Sequence, residues 1–266
     1  MRQVSIAGTV VLLSAVWVFS GFYGSAAPAT SETVKEEATE GKLVFADGFE
    51  KGLANWVAEG PHLTDIKDSR LHVKTTEGEL KVGQYVWCRK ELPRDFRIEY
   101  DFTPLSDAGF FLIFFCVEGV KGEDILAPEL FDGYMSSKTW QDYQDFDKYT
   151  SPPDRKHESR IRCYHISYRR GDRADCNLRK NPGLNLLQTS TVDQLLPKDK
   201  AVHVALAKKA ARILLTVDGR TFMDHTDEGK IDGTFYTGGR FGFRQVYESE
   251  GTYAKVRLYD LTQGKE

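Results

Sequence analysis

The chain has 266 residues, with 36 Lys and Arg against 39 Asp and Glu and 41% hydrophobic residues. So balanced a charge argues against a nucleic acid as partner. The four cysteines include no Cys-x-x-Cys pair, which leaves a zinc ribbon without its ligands.

Arg2, the apolar run 4–19 and the small residues Ala27-Pro28-Ala29 make residues 1–29 a secretory signal peptide. The mature protein is then secreted or periplasmic, with no membrane contact after cleavage. An uncleaved anchor is the alternative, because the run is almost long enough to span a bilayer. Residues 30–41 carry Glu32, Glu36, Glu37 and Glu40 with nothing large to bury, and read as a flexible tether. Residues 42–266 remain, a size that suits one sandwich or barrel domain.

That domain reads as strands. Leu43-Val44-Phe45 comes first, then Leu71-His72-Val73-Lys74 and the segment 85–92. Phe96-Arg97-Ile98-Glu99-Tyr100-Asp101-Phe102 alternates without a fault. Residues 110–117 are continuously apolar, the pattern of a strand covered on both faces. Further strands are expected at 164–170, 176–181, 202–207, 213–217, 221–224, 240–246 and 254–261, and Asp218-Gly219 supplies a hairpin turn. Many short strands with Gly and Asp turns point to an all-β sandwich of two antiparallel sheets. Parity places Cys88 beside Val86, Cys176 beside Leu178, and Cys116 beside Leu112 and Phe114, all toward the core. Buried thiols and disulfides among Cys88, Cys116, Cys163 and Cys176 both remain open.

The stretch 127–162 breaks the pattern. It mixes Trp140, Tyr143, Phe146 and Tyr149 with Asp142, Asp145 and Asp147, and reads as an aromatic lid or rim. Around it, residues 118–147 hold eight acids and residues 155–180 nine Lys or Arg, a polarity suited to a charged ligand.

Alternation also sorts the polar residues by face. In 164–170, Ile166 takes Tyr164 and Tyr168 inward and leaves His165, Ser167 and Arg169 outward. In 176–181, Leu178 and Cys176 turn inward, leaving Asn177, Arg179 and Asn181 outward. The short Gly171-Asp172-Arg173 turn makes the two strands a hairpin, so these six share a face. The same rule adds Trp87, Arg89 and Arg244. Guanidinium forks, amides and an imidazole on one face suit a polyhydroxylated or carboxylated ligand, with Trp87 as a stacking platform.

Tyr164-His165-Ile166-Ser167-Tyr168-Arg169 and the octet Cys176-Asn177-Leu178-Arg179-Lys180-Asn181-Pro182-Gly183 resemble the core signature of the YesU-like family. The likeness extends to Asn55-Trp56-Val57-Ala58-Glu59-Gly60, Val86-Trp87-Cys88-Arg89-Lys90, Gly122-Glu123-Asp124 and Gly242-Phe243-Arg244-Gln245. It implies a concanavalin-like jelly roll associated with polysaccharide use, and supplies no reaction.

Three functions fit. The first is an enzyme cleaving an acidic polysaccharide by β-elimination, with His165, Arg169, Asn177 and Arg179 as catalytic candidates. Trp87, Arg89, Ser167, Asn181 and Arg244 would then bind substrate. Its missing acid is a tyrosine, since Tyr164 and Tyr168 have inward parity. The second is a jelly-roll glucanase using Glu99 and Asp101, a pattern that fails where Thr103 stands in place of a third acid. The third is a binding module without turnover. The expected partner is an oligosaccharide or polysaccharide, anionic in character. No cofactor is expected, although Glu123 with Asp124, or Asp142, Asp145 and Asp147, are donors suited to a structural calcium.

Overall fold

The computed structural model describes residues 41–60, 63–76, 83–127, 161–169, 175–191 and 196–262. The expected signal peptide, the tether up to residue 40 and the insert from 128 to 160 lie outside them, Asp142, Asp145 and Asp147 included, while the last two residues of the expected insert open β8. Among the described residues there are fifteen strands and no helix. In chain order the first eight are β1 (Lys42–Asp47), β2 (Trp56–Glu59), β3 (Leu63–Lys67), β4 (Arg70–Lys74), β5 (Gln84–Cys88), β6 (Phe96–Pro104), β7 (Phe110–Gly119) and β8 (Ile161–Tyr168). They are followed by β9 (Asp175–Asn181), β10 (Asn185–Thr191), β11 (Val202–Lys209), β12 (Arg212–Val217), β13 (Arg220–Thr226), β14 (Arg240–Val246) and β15 (Glu250–Asp260).

Two antiparallel sheets result. An eight-stranded sheet runs β13-β12-β11-β6-β15-β4-β3, with β1 also paired to β15, and a seven-stranded sheet runs β10-β9-β8-β7-β14-β5-β2. The β12–β13 turn places Asp218 and Gly219 at φ 48° and 73°, as a two-residue hairpin whose twist matches its strands demands.

The two sheets differ in what covers them. In β6, Phe96, Ile98, Tyr100 and Phe102 are buried while Arg97, Glu99 and Asp101 alternate on the outer side. Those outer charges pair with neighbours: Arg97 with Glu99 at 2.9 Å and Lys255 with Asp101 at 2.8 Å. By contrast β5, β7, β8 and β14 are buried along nearly their whole length. One apolar cluster fills the space between the sheets, where Tyr100 meets Phe243 at 4.9 Å and Phe102 meets Phe111 at 4.8 Å. Each such fully buried side chain contributes roughly 1.5–3 kcal/mol. A second cluster, built from Tyr85, Trp87, Leu112, Phe114, Cys163 and their neighbours, coats the far face of the seven-stranded sheet.

β7 departs from simple alternation. Cys116 adopts φ 52°, and the pairing with β8 slips between Phe115 and Glu118. This bulge sends both Phe115 and Cys116 into the inter-sheet core, while Leu112 and Phe114 face outward. The expected grouping of Cys116 with Leu112 and Phe114 is therefore corrected. All four cysteines are free and buried, with Cys88, Cys116 and Cys176 between the sheets and Cys163 on the outer face.

Candidate functional site

Strand register assembles two polar-aromatic rows across the outer face of the seven-stranded sheet. Residues paired directly across antiparallel strands project to the same side. One row runs Glu59, Tyr85, Arg244, Leu112, Ser167, Asn177 and Thr189 from β2 to β10. The adjacent row runs Val57, Trp87, Gly242, Phe114, His165, Arg179 and Leu186. Asn181 follows opposite Cys163.

Gly242 is what allows Trp87 to lie flat within its row. A Cβ there would stand 2.5 Å from the indole Cε3 and 2.7 Å from the Val86 carbonyl. Trp87 stacks on Tyr85 at 5.3 Å, edges onto Phe114 at 5.9 Å, and donates its indole N–H to Glu59 Oε2 at 2.9 Å. The Arg244 guanidinium lies over the Tyr85 ring at 5.1 Å. His165 stacks on Phe114 at 4.9 Å, and its Nδ1 meets the Asn181 amide nitrogen at 2.9 Å. That amide N–H donates to Nδ1, so the neutral ring carries its proton on Nε2 and presents a donor.

Electrostatics follow from burial. His165 is held neutral, its pKa pushed down to about 3 by desolvation and by Arg244 and Arg179 beside it. Glu59 moves the other way, up to about 7, because desolvation outweighs the indole hydrogen bond. Glu59 is 8% exposed and its Oε1 has no hydrogen-bond partner among the described residues.

Of the nine residues expected at the site, the register brings Trp87, His165, Ser167, Asn177, Arg179, Asn181 and Arg244 onto this face. Their surroundings correct the picture of an open platform. Trp87 is fully buried and supports Tyr85 from beside it, so it is not a free stacking surface. Arg179 donates to the Leu184 carbonyl at 2.8 Å, and Asn177 accepts from Thr189 at 2.7 Å. Arg169 lies one residue past the end of β8, paired with Asp175 at 2.9 Å. Arg89 lies one residue past the end of β5 and is exposed. Its N–H donates to the Asn55 carbonyl at 2.9 Å, in line with the β2–β5 pairing.

Tyr85 and Glu59 were missed. Tyr85 shares the parity of Trp87, so alternation already contained it. Glu59 sits on a four-residue strand too short for periodicity to show. A third omission is Lys180, which shares the inward parity of Leu178. It is fully buried, 2.9 Å from Asp227, 2.5 Å from Asp232 and 4.6 Å from the Tyr236 ring centroid. Tyr164 donates to Asp227 at 2.5 Å, and Tyr236 donates to Asp232 at 2.5 Å. Burial alone would raise the Asp227 carboxyl, but hydrogen bonds from Tyr164 and Lys180 reverse this and lower its pKa.

The carboxylates considered for hydrolysis, Glu99 and Asp101, lie on the other sheet within surface ion pairs. Asp124, considered for calcium, instead holds the Arg240 guanidinium through both oxygens at 3.0 and 2.6 Å.

The family described as "Domain of unknown function (DUF1961)" matches residues 42–258. YesU of Bacillus subtilis (strain 168), an uncharacterized protein, is 26% identical over 219 residues, covering 79% of this chain and 90% of YesU. A Bacillus subtilis protein of unknown function with a galectin-like fold superposes with a TM-score of 0.67 at 22% identity, covering 83% of this chain and 96% of that one. The potassium-bound carbohydrate recognition domain of Emp46p gives 0.51 at 15% identity, covering 80% and 91%. Likeness at these identities shows the fold, a concanavalin-like jelly roll of two antiparallel sheets.

Proposed function

Because the chain belongs to the DUF1961 family, a family without an assigned activity, we propose a function from the site itself. The protein is an exported sugar-binding protein that takes an acidic oligosaccharide or polysaccharide on the outer face of its seven-stranded sheet. The observation that carries this is the row Glu59, Tyr85, Arg244, Ser167 and Asn177 set against the aromatic row of Trp87, Phe114 and His165. The polar row supplies several hydrogen-bonding groups suited to sugar hydroxyls, and the buried aromatic row behind it holds them in place. Arg244 and Arg179 supply the positive charge an anionic sugar requires, and the neutral His165 supplies a further donor. A neighbour of the same fold is a carbohydrate recognition domain, in keeping with a sugar as ligand.

Binding is favoured over turnover. With Nδ1 already accepting from Asn181, His165 offers no lone pair to serve as the base of a β-elimination. The test is calorimetric titration of the purified protein with uronate oligosaccharides and their neutral counterparts, while ultraviolet absorbance and reducing ends are followed in parallel. Saturable binding of the acidic set that Arg244→Gln weakens at least tenfold supports the proposal. Equal binding of both sets, or none, refutes it, and new unsaturated or reducing ends would convert the protein into an enzyme.

A further inference from the structure

With Trp87 buried, the open aromatic side chain lies at the end of the same face. Among the described residues Tyr247 is the most exposed aromatic, at 42%. It stands just after β14, where the chain leaves the seven-stranded sheet for β15 of the eight-stranded one, a crossing made by Tyr247, Glu248 and Ser249. So short a crossing puts Tyr247 at φ 60° and Glu248 at φ 58°. Glycine and asparagine adopt that left-handed backbone readily, whereas a bulky aromatic there is an outlier held only by what surrounds it. The surroundings do hold it. Ser249 is fully buried, its N–H donating to Thr75 Oγ1 at 2.9 Å and its carbonyl accepting the Thr75 N–H at 2.9 Å. Gly109 passes so close to the turn that a Cβ on it would stand 2.5 Å from the carbonyl oxygens of Val246 and Tyr247.

The ring is braced from one side. Phe110 meets it in a T-shaped contact with ring centroids 5.7 Å apart, and the Arg169 guanidinium, paired with Asp175 at 2.9 Å, lies over Phe110 at 5.5 Å. Phe110 precedes Leu112 by two residues on β7, so it shares the outer side. It lies about 7 Å along the strand from the row of Tyr85, Arg244, Ser167 and Asn177. A stray surface aromatic would account for the exposure but not for the left-handed backbone, the pinned turn and the propped ring together. Resting on the sugar reading above, we propose that Tyr247 is the platform on which one sugar ring of the bound chain stacks. The apolar C–H face of the pyranose lies on the phenol, and the rest of the chain continues along the polar row. The platform reads the face of the ring and not its charge, which falls to Arg244 and Arg179.

The experiment titrates a galacturonate hexamer by calorimetry into the wild-type chain, Tyr247→Phe, Tyr247→Asn and Arg244→Gln, with a thermal melt of each. Tyr247→Asn removes the ring but suits the left-handed backbone, so it should bind about tenfold more weakly while melting no lower than wild type. Tyr247→Phe, which keeps the ring, should bind within about threefold of wild type. If Tyr247→Asn binds as wild type does while Arg244→Gln weakens binding, the platform is overturned and the sugar reading stands. A Tyr247→Asn whose binding falls together with its Tm also overturns it, since Tyr247 would then be a structural residue. So does a Tyr247→Phe as weak as Tyr247→Asn, because the hydroxyl and not the ring would be the contact. A wild-type chain that does not bind the hexamer removes the sugar reading, and the platform with it.

Discussion

Replacing Lys180 with Met keeps the length and apolar stem of the side chain and removes its charge. In the folded protein that charge is fully buried and shared by Asp227 at 2.9 Å, Asp232 at 2.5 Å and the Thr234 carbonyl at 2.5 Å. The pair with Asp232, which is 32% exposed at its side chain, is screened by water and worth little. Asp227, at 3%, is the consequential partner, because Lys180→Met leaves its buried carboxylate with the Tyr164 hydroxyl and the Gly229 N–H but without its counter-ion. Removing one member of a buried pair costs about 3–5 kcal/mol. A domain of roughly 220 residues loses about 2–4 °C of Tm per kcal/mol, so the midpoint should drop by roughly 6–20 °C. The loss should be visible by circular dichroism melts and by urea titration. Lys180→Met with Asp227→Asn abolishes the stranded charge, and the double variant should regain at least half of the loss. A single variant within 1 kcal/mol of wild type, or a second substitution that deepens the loss, would show that Lys180 is not a buried electrostatic clamp.

Gly242→Ala drives a methyl group toward the Trp87 ring and the Val86 carbonyl at 2.5 and 2.7 Å. It should cost about 1–3 kcal/mol and shift tryptophan fluorescence; an unchanged spectrum and melt would contradict the packing described. Acidification should destabilise the wild type through His165, whose folded pKa of about 3 lies below the ordinary 6.5. The unfolded chain then takes up the proton first, so this contribution is complete above pH 6.5 and is lost as pH falls, at about 1.4 kcal/mol per unit. His165→Gln should flatten the stability profile between roughly pH 6.5 and 4, and parallel profiles would rule the effect out. The four free, buried cysteines should resist an aromatic disulfide reagent in the native protein at pH 8 and release four equivalents in guanidinium. Rapid native reaction, or fewer than four on unfolding, would count against their placement.

Much of this fold is written in alternation. β6 and β11 pair apolar inner positions with charged or small outer ones, and the β8–β9 hairpin shares its faces as residues 164–181 dictate. Legibility ends where the backbone leaves period two. Nothing in Cys88-Arg89-Lys90 marks the end of β5 at Cys88, so alternation alone runs on past it. Lys180 carried the inward parity of Leu178, yet its partners Asp227 and Asp232 lie some fifty residues away, where only tertiary structure reveals them. The depth of the site was equally hidden. Parity places Trp87 and His165 on a face but does not say that a second apolar cluster forms around them.

The bulge at Cys116 has an effect that reaches beyond packing. It acts as a one-residue phase shift partway along β7, so every position after it reports to the opposite side from the one its numbering implies. Val117 thereby joins the outer cluster, and Glu118 turns to the inner rim, where Arg162 holds it at 2.8 Å. Without that shift a second carboxylate would stand on the outer face beside Glu59, adding negative charge to it. A single left-handed residue thus sorts charge between the two surfaces of a sheet, and shortening β7 by that residue would restore plain alternation while leaving Val117 and Glu118 on the sides they now occupy.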